Sequence, residues 1–258
     1  MFMATMATRM IEPTLPQHPH PSDASNERGL SDAAALKKLL AWLSPAFPVG
    51  GFSYSHGLEW AIEDGTVTAA ADLKAWLADI LRHGSGWSDG VLFSHTYKAA
   101  LSVELTRIEE ISALGIAFQP SRERHLETTA QGRAFLSTVS ATWPNKHLTS
   151  LAQLFASEAQ IAYPVAVALA CAAHRIPLLP SLNAYLGAFA ASLISAAVRA
   201  VPLGQTDGQI VTAAISPLIE TVANEASTAT LDMLGGCAWR ADIASMKHET
   251  QYTRLFRS

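Results

Sequence analysis

Leu182-Asn183-Ala184-Tyr185-Leu186-Gly187-Ala188-Phe189-Ala190-Ala191-Ser192-Leu193-Ile194-Ser195-Ala196-Ala197-Val198-Arg199-Ala200-Val201 carries the cleanest helical period in the chain. Leu182, Tyr185, Leu186, Phe189, Leu193, Ile194, Ala197 and Val201 recur every three to four residues, which places them on one face of a helix. Ala188, Ala191 and Ala196 leave room for closely packed neighbours. Arg199 stands where a cation meets the last carbonyls of a helix. Residues 176–198 hold no charge and are long enough to cross a bilayer. Pro177, Pro180, Ser181, Asn183, Ser192 and Ser195 interrupt that span, and its period suits a buried bundle helix. A soluble protein with no membrane partner is expected.

The same period runs outward in both directions. Ser31-Asp32 cap a helix with Leu36, Leu39, Leu40 and Leu43, stopped by Pro45. Thr68 starts a helix carrying Leu73, Trp76, Leu77, Ile80 and Leu81, and Gly84-Ser85-Gly86 ends it. Ser88-Asp89 starts the next, with Leu92, Phe93, Tyr97, Leu101 and Leu105; Asp89 reads as its cap. From Ser121 a longer helix turns Leu126, Ala130, Phe135 and Leu136 inward. Arg124 and Glu127 have the spacing of a surface ion pair, and Gly132 admits a neighbouring helix. Ser150 to Gln153 matches a capping box that opens a helix kinked at Pro164; Thr206 to Gln209 matches a second, with a kink at Pro217. Val, Ile and Thr never alternate over a useful length. The expected fold is all-α, one multi-helix bundle of about eight to ten helices.

Residues 1–30, with Pro13, Pro16, Pro19 and Pro21, read as a disordered arm. The helical domain then covers residues 31–244. Residues 245–258 form a tail in which Tyr252, Leu255 and Phe256 lie between Arg254 and Arg257, the residue types that anchor interfaces.

Charged residues make up only 16% of the 258, so either the surface is rich in Ser, Thr and Ala or apolar surface is buried against other chains. Net charge is −4 with no basic stripe, which argues against nucleic acid. Cys171 and Cys237 form no framework, which fits a reduced, cytoplasmic setting. No cofactor or metal site is expected. His18 and His20 lack further ligands, and Cys171 with His174 reads as core packing.

Between the first helices lies Pro45-Ala46-Phe47-Pro48-Val49-Gly50-Gly51-Phe52-Ser53-Tyr54-Ser55-His56-Gly57-Leu58-Glu59-Trp60. Two prolines fix φ and two adjacent glycines free it, so this loop has a specified shape. A phosphate cradle fails for want of a following Lys. A nucleophile elbow at Ser55 lacks its first Gly and its preceding strand. Ser53 or Ser55 capping the next helix accounts for the polar cluster.

Four motifs in order resemble one family. Pro45 to Glu59 is similar to the P-x-G-G-[FY]-x-x-S-x-G-L-E signature of the urease accessory protein F family. Arg124 to Leu136, with Glu127 and Gly132, resembles its E-[ST]-x-x-x-G helix. Arg199 followed by Pro202-Leu203-Gly204-Gln205-Thr206-Asp207-Gly208-Gln209 resembles R-x-x-P-L-G-Q-T-x-x-Q, and Met246-Lys247-His248-Glu249 with Arg254-Leu255-Phe256-Arg257-Ser258 resembles the family tail. Ala162 and Ala168 stand where the family often has His and Gly around Tyr163-Pro164-Val165, so no metal role is carried over there.

The resemblance implies a dimeric, non-enzymatic maturation factor. It implies assembly with the urease accessory proteins UreD/UreH and the GTPase UreG on apo-urease for nickel insertion. The implied partner-binding residues are Tyr54, Ser55, His56, Glu59, Arg199, Gln205, Asp207, Lys247, His248, Glu249, Tyr252, Arg254, Leu255, Phe256 and Arg257, with Tyr54 and Arg254 near the GTPase. Two alternatives stand beside it: a helical serine hydrolase using Ser55, and a direct nickel carrier using His18, His20 or His248.

Overall fold

The computed structural model describes residues 21–156, 160–201 and 203–258, with side chains from residue 32 onward. Eleven α-helices are present among the described residues: α1 (Pro21–Trp42), α2 (Leu58–Glu63), α3 (Ala70–His83), α4 (Ser85–Ser102), α5 (Leu105–Ala117), α6 (Arg122–Thr142), α7 (Lys146–Ala152), α8 (Tyr163–Ala173), α9 (Leu178–Ala200), α10 (Gln205–Thr228) and α11 (Trp239–His248). No strand occurs among them, as the missing alternation requires. Nine of the eleven have ten residues or more.

The bundle is built around α8. Every residue from Pro164 to Ala173 is buried. Its alanines keep it thin, so α4 and α6 both pack closely against it. Gly132 of α6 shows how close: a Cβ there would stand 2.2 Å from the Ile161 carbonyl oxygen. The glycine reading from sequence holds, and the neighbour is the segment entering α8. Outside this centre, α9 and α10 pack on each other, and α3 packs on α10 and α4. The apolar α9 is long enough to cross a membrane by length and composition, yet half of its most apolar window is buried within the bundle. Trp42, Phe93, Phe135 and Leu148 are among the large side chains fully enclosed in the core.

Helix starts differ from the sequence expectation in instructive ways. The helix assigned to Ser31 runs from Pro21, so residues 21–30 are helical and the expected disordered arm is corrected there; residues 1–20 of that arm, with His18 and His20, lie outside the described residues. Pro at a first helical position costs no hydrogen bond, and Asp23 to Arg28 contains no breaker. The start attributed to Thr68 lies at Ala70, where the Asp72 carboxylate accepts the Thr68 and Ala69 amides.

Ser150 lies inside α7, and Pro164 sits in the first turn of α8 and produces no kink, for the same N-terminal reason. Gly204, and not Thr206, caps α10, its amide donating to the Asp207 carboxylate at 2.9 Å. Leu126, assigned inward, is exposed. The tail boundary at 245 falls within α11, so only residues 249–258 follow the last helix.

Candidate functional site

The shaped loop, the first turn of α6 and the C-terminal segment meet at one face. The loop reaches α2 through His56 and Gly57, at φ of 62° and 75°. A Cβ on Gly57 would stand 2.5 Å from the Ser245 backbone nitrogen, so the loop lies directly on α11. Gly57 is the N-cap residue of α2, and the Ser55 hydroxyl accepts the Glu59 amide of its first turn at 3.4 Å. The Ser55 amide and hydroxyl both donate to the Ser258 carbonyl oxygen at 2.5 Å, and the Arg257 amide donates to the Ser53 carbonyl at 2.7 Å. The chain end is thus stitched along the loop.

Glu59 organises this stitch from α2. Its carboxylate accepts the Leu255 amide at 2.6 Å and the Phe256 amide at 3.0 Å, and faces His248 Nε2 at 3.1 Å. The other ring nitrogen of His248 faces Glu123 at 2.6 Å, and Arg254 donates to Glu123 at 2.7 Å. Gln251 donates to Glu63, and the Glu249 carboxylate accepts the Arg122 amide. Arg199 Nη1 donates to the Phe52 carbonyl, and its guanidinium lies 3.6 Å from the Phe52 ring and 4.5 Å from that of Phe256. Such stacking holds a planar cation against aromatic faces.

A second polar group lies beneath the loop. Glu127 is ion-paired to Arg124, faces His56 Nδ1 at 3.3 Å and accepts the Ser258 hydroxyl at 2.8 Å. The Arg124–Glu127 pair has the spacing read from sequence, but it is buried and not on the surface. Burial favours the protonated Glu127 carboxyl, yet Arg124 and His56 outweigh it and hold the group below the ordinary carboxylate range. Burial, helped by Arg124, lowers His56 to about 4. Asp89 is no cap: it is buried inside α4, accepts the Tyr185 hydroxyl at 2.7 Å, and is pushed up to about 6 by desolvation. Burial likewise raises the Tyr54 hydroxyl. His56, Asp89 and Arg124 separate a cavity of about 140 Å³ under the loop from one of about 220 Å³ toward α11.

This arrangement does not support the Ser55 hydrolase. Ser55 is fully buried and bonded to the chain end, and His56 turns its Nε2 to Ser85 at 2.8 Å. A base near 4 is poorly matched to taking a proton at neutral pH, and Arg124 already claims the carboxylate behind it. Among the described residues no three His, Cys, Asp or Glu side chains form a metal-holding group.

The expected partner-binding residues fall into three sets. Tyr54, Ser55, His56, Glu59, His248 and Phe256 are buried and touch this chain's own loop and tail. Lys247, Tyr252, Arg254, Leu255 and Arg257 are exposed, and Glu249 and Arg199 are half-buried beside them. Gln205 and Asp207 lie in the first turn of α10, where Asp207 holds the helix start. On α11, Trp239, Ile243 and Met246 are exposed at intervals of four and three, opposite the buried Ala241, Ala244 and His248. Tyr252 and Leu255 of the tail are exposed as well, as are Leu36, Leu40, Phe52 and Ile210 elsewhere on the molecule.

Sequence reasoning missed Glu123, Ser85 and the inward role of Asp89. In a chain so poor in charge, Glu123, Arg124 and Glu127 crowded into two helical turns were the available signal.

A family model described as UreF matches residues 67–216. A urease accessory protein UreF from Rhodopseudomonas palustris is 50% identical over 226 residues, covering 88% of this chain and 92% of the relative. The protein of the same name from Bradyrhizobium diazoefficiens is 50% identical over 227 residues, covering 88% and 93%, and that from a Methylobacterium strain is 49% identical over 220 residues, covering 85% and 87%. Identity at this level across nearly the whole length, on an all-α bundle, means that this chain belongs to the UreF family of urease accessory proteins.

Proposed function

We propose that the chain works in urease maturation as a scaffold without turnover of its own. In this proposal it acts in the cytoplasm as a homodimer that joins UreD/UreH and the GTPase UreG on apo-urease, where nickel is inserted with GTP hydrolysis. Family membership supports the general role. The observation that carries the scaffold is the exposed Tyr252 and Leu255, on a segment that Glu59 and Ser55 tie down after α11, which exposes Trp239, Ile243 and Met246. Aromatic and aliphatic side chains held rigidly bind a partner with little ordering cost. Arg254 and Arg257 flank Leu255 and supply a polar rim.

Complementation tests the role. In cells lacking their own copy of this factor, the chain should restore nickel content and activity of urease, and Tyr252→Ser with Leu255→Ser should reduce both at least about tenfold. Full restoration by that double variant at equal protein level would remove Tyr252 and Leu255 from the function.

A further inference from the structure

The corner between α4 and α5 departs from the apolar period of its sequence. Leu101 and Leu105 continue the stripe of Leu92, Phe93 and Tyr97, which places both on the inner side of one long helix. The chain instead leaves α4 after Ser102, turns at Val103 and begins α5 at Leu105. Leu101, Val103 and Leu105 are all exposed. The turn itself is well held. The Val103 amide donates to the Ala100 carbonyl at 3.3 Å and the Glu104 amide to that of Ala99 at 2.9 Å. His147 Nε2 of α7 faces the Ala100 carbonyl at 3.0 Å. Val103 adopts φ of 59° and ψ of 37°, the left-handed region. Helices often end on such a residue, and it is usually Gly or Asn. A β-branched side chain is a rare occupant there, because its Cβ crowds the following carbonyl oxygen. Val103 is 55% exposed, so packing within the chain does not account for a branched residue at this position.

We infer that this corner is a docking knob: Leu101, Val103 and Leu105 enter an apolar pocket on a partner protein, bordered there by Lys or Arg side chains. Three apolar side chains within five residues, on a turn pinned by its own hydrogen bonds, form a compact plug that needs little ordering on binding. The strained Val103 is accounted for as one of the side chains the partner covers, since backbone strain collects at functional positions.

Charge selects the occupant. Lys98, one turn before Leu101, gives its ammonium to the Ser227 carbonyl of α10 at 2.8 Å. Arg107 is paired to Glu110 at 3.1 Å. Glu104 and Glu109 are exposed, and Glu109 stands one helical turn from Leu105. Neither makes an ion pair among the described residues, so the rim of the knob is anionic. A second copy of this chain would bring the same sign of charge against it, whereas a basic rim is complementary. The knob lies on α4 and α5, and the tail carrying Tyr252 and Leu255 lies on α2 and α6, so the two contacts are separate surfaces. That the partner belongs to the urease machinery rests on the scaffold role proposed above.

Binding of purified UreD/UreH, UreG and apo-urease, each in turn, to the immobilised full-length chain tests the knob. Wild type should retain at least one of them, and Leu101→Ser with Leu105→Ser should weaken that binding at least about tenfold, as expected for truncated anchors. Val103→Asn should weaken it too, while its urea midpoint stays at or above that of wild type, because Asn suits a left-handed turn. A merely structural role would not separate those two readouts. Glu104→Lys with Glu109→Lys should slow association at low salt, with the difference shrinking at high salt. Equal binding by wild type and either apolar variant, or a lower midpoint for Val103→Asn, would overturn the knob. Unchanged association of the charge-reversed variant would overturn the basic rim, and loss of self-association by Val103→Asn in sedimentation would make the occupant a second copy. No binding of any of the three to wild type would sink both the knob and the scaffold role. Tyr252→Ser/Leu255→Ser tells the two apart: binding lost there but kept by the corner variants removes the knob alone, and the reverse removes the tail contact and leaves the knob standing.

Discussion

Asp89 bears the least favourable charge in the core. Desolvation pushes it up to about 6, with only the Tyr185 hydroxyl and the more distant Arg124 favouring the anion. The sign follows from linkage: a carboxyl raised in the fold binds a proton more tightly folded than unfolded, so its contribution is largest below the unfolded value near 4 and is lost as pH rises through 6. Asp89→Asn keeps an acceptor for Tyr185 and removes the buried charge. It should be more stable than wild type by roughly 1–3 kcal/mol at pH 8, with the gain shrinking as pH falls from about 6 toward 4. Urea denaturation at the two ends of that range measures it; a variant less stable at pH 8 would contradict this account of Asp89. From sequence Asp89 resembled a helix cap because Ser88-Asp89 precedes an apolar run. Only the crossing of α4 and α9, which brings Tyr185 to it, turns it inward. Glu59 was hidden in the same way: its partners are amides some 200 positions along the chain.

At the level of elements, periodicity proved more informative than caps, of which Ser121 at the start of α6 held, its hydroxyl accepting the Arg124 amide at 3.2 Å. The faces of α3 and α9 were legible because burial alone selects their apolar spacing, whereas α8 is buried all round. Starts were misplaced at α1, α4, α8 and α10, because a Ser or Thr near a helix start competes with other acceptors that only the fold reveals. The tail was legible in composition but not in placement. It reads as a partner-binding tail, yet Phe256 and Ser258 are buried against the loop. Removing residues 249–258 should therefore leave the far-UV helical signal unchanged, since α11 ends at His248. It should also lower stability by roughly 2–4 kcal/mol, through lost burial of Phe256 and an uncompensated Glu59. Circular dichroism and urea denaturation together check this: a lost helical signal would make the tail part of the folding core, and an unchanged midpoint would make its docking energetically idle.

For the molecule as a whole, the low charge content anticipated the outcome but not its location. Apolar side chains are left exposed on α11 and the tail and also on α1, at Leu36 and Leu40, while the alanine-rich centre is closed by α4, α6 and α9. In the shaped loop Tyr54, Ser55 and His56 are enclosed while Phe52 is exposed, and the chain end lies along it. On α11 and the tail, Trp239, Ile243, Met246, Tyr252 and Leu255 face outward. Co-purification of UreD/UreH with the full-length chain tests this division most directly, comparing wild type with Tyr252→Ser/Leu255→Ser at matched circular dichroism. The wild type should retain the partner and the double variant should lose at least about tenfold in capture, as expected for truncated anchors; equal capture by the two would contradict it.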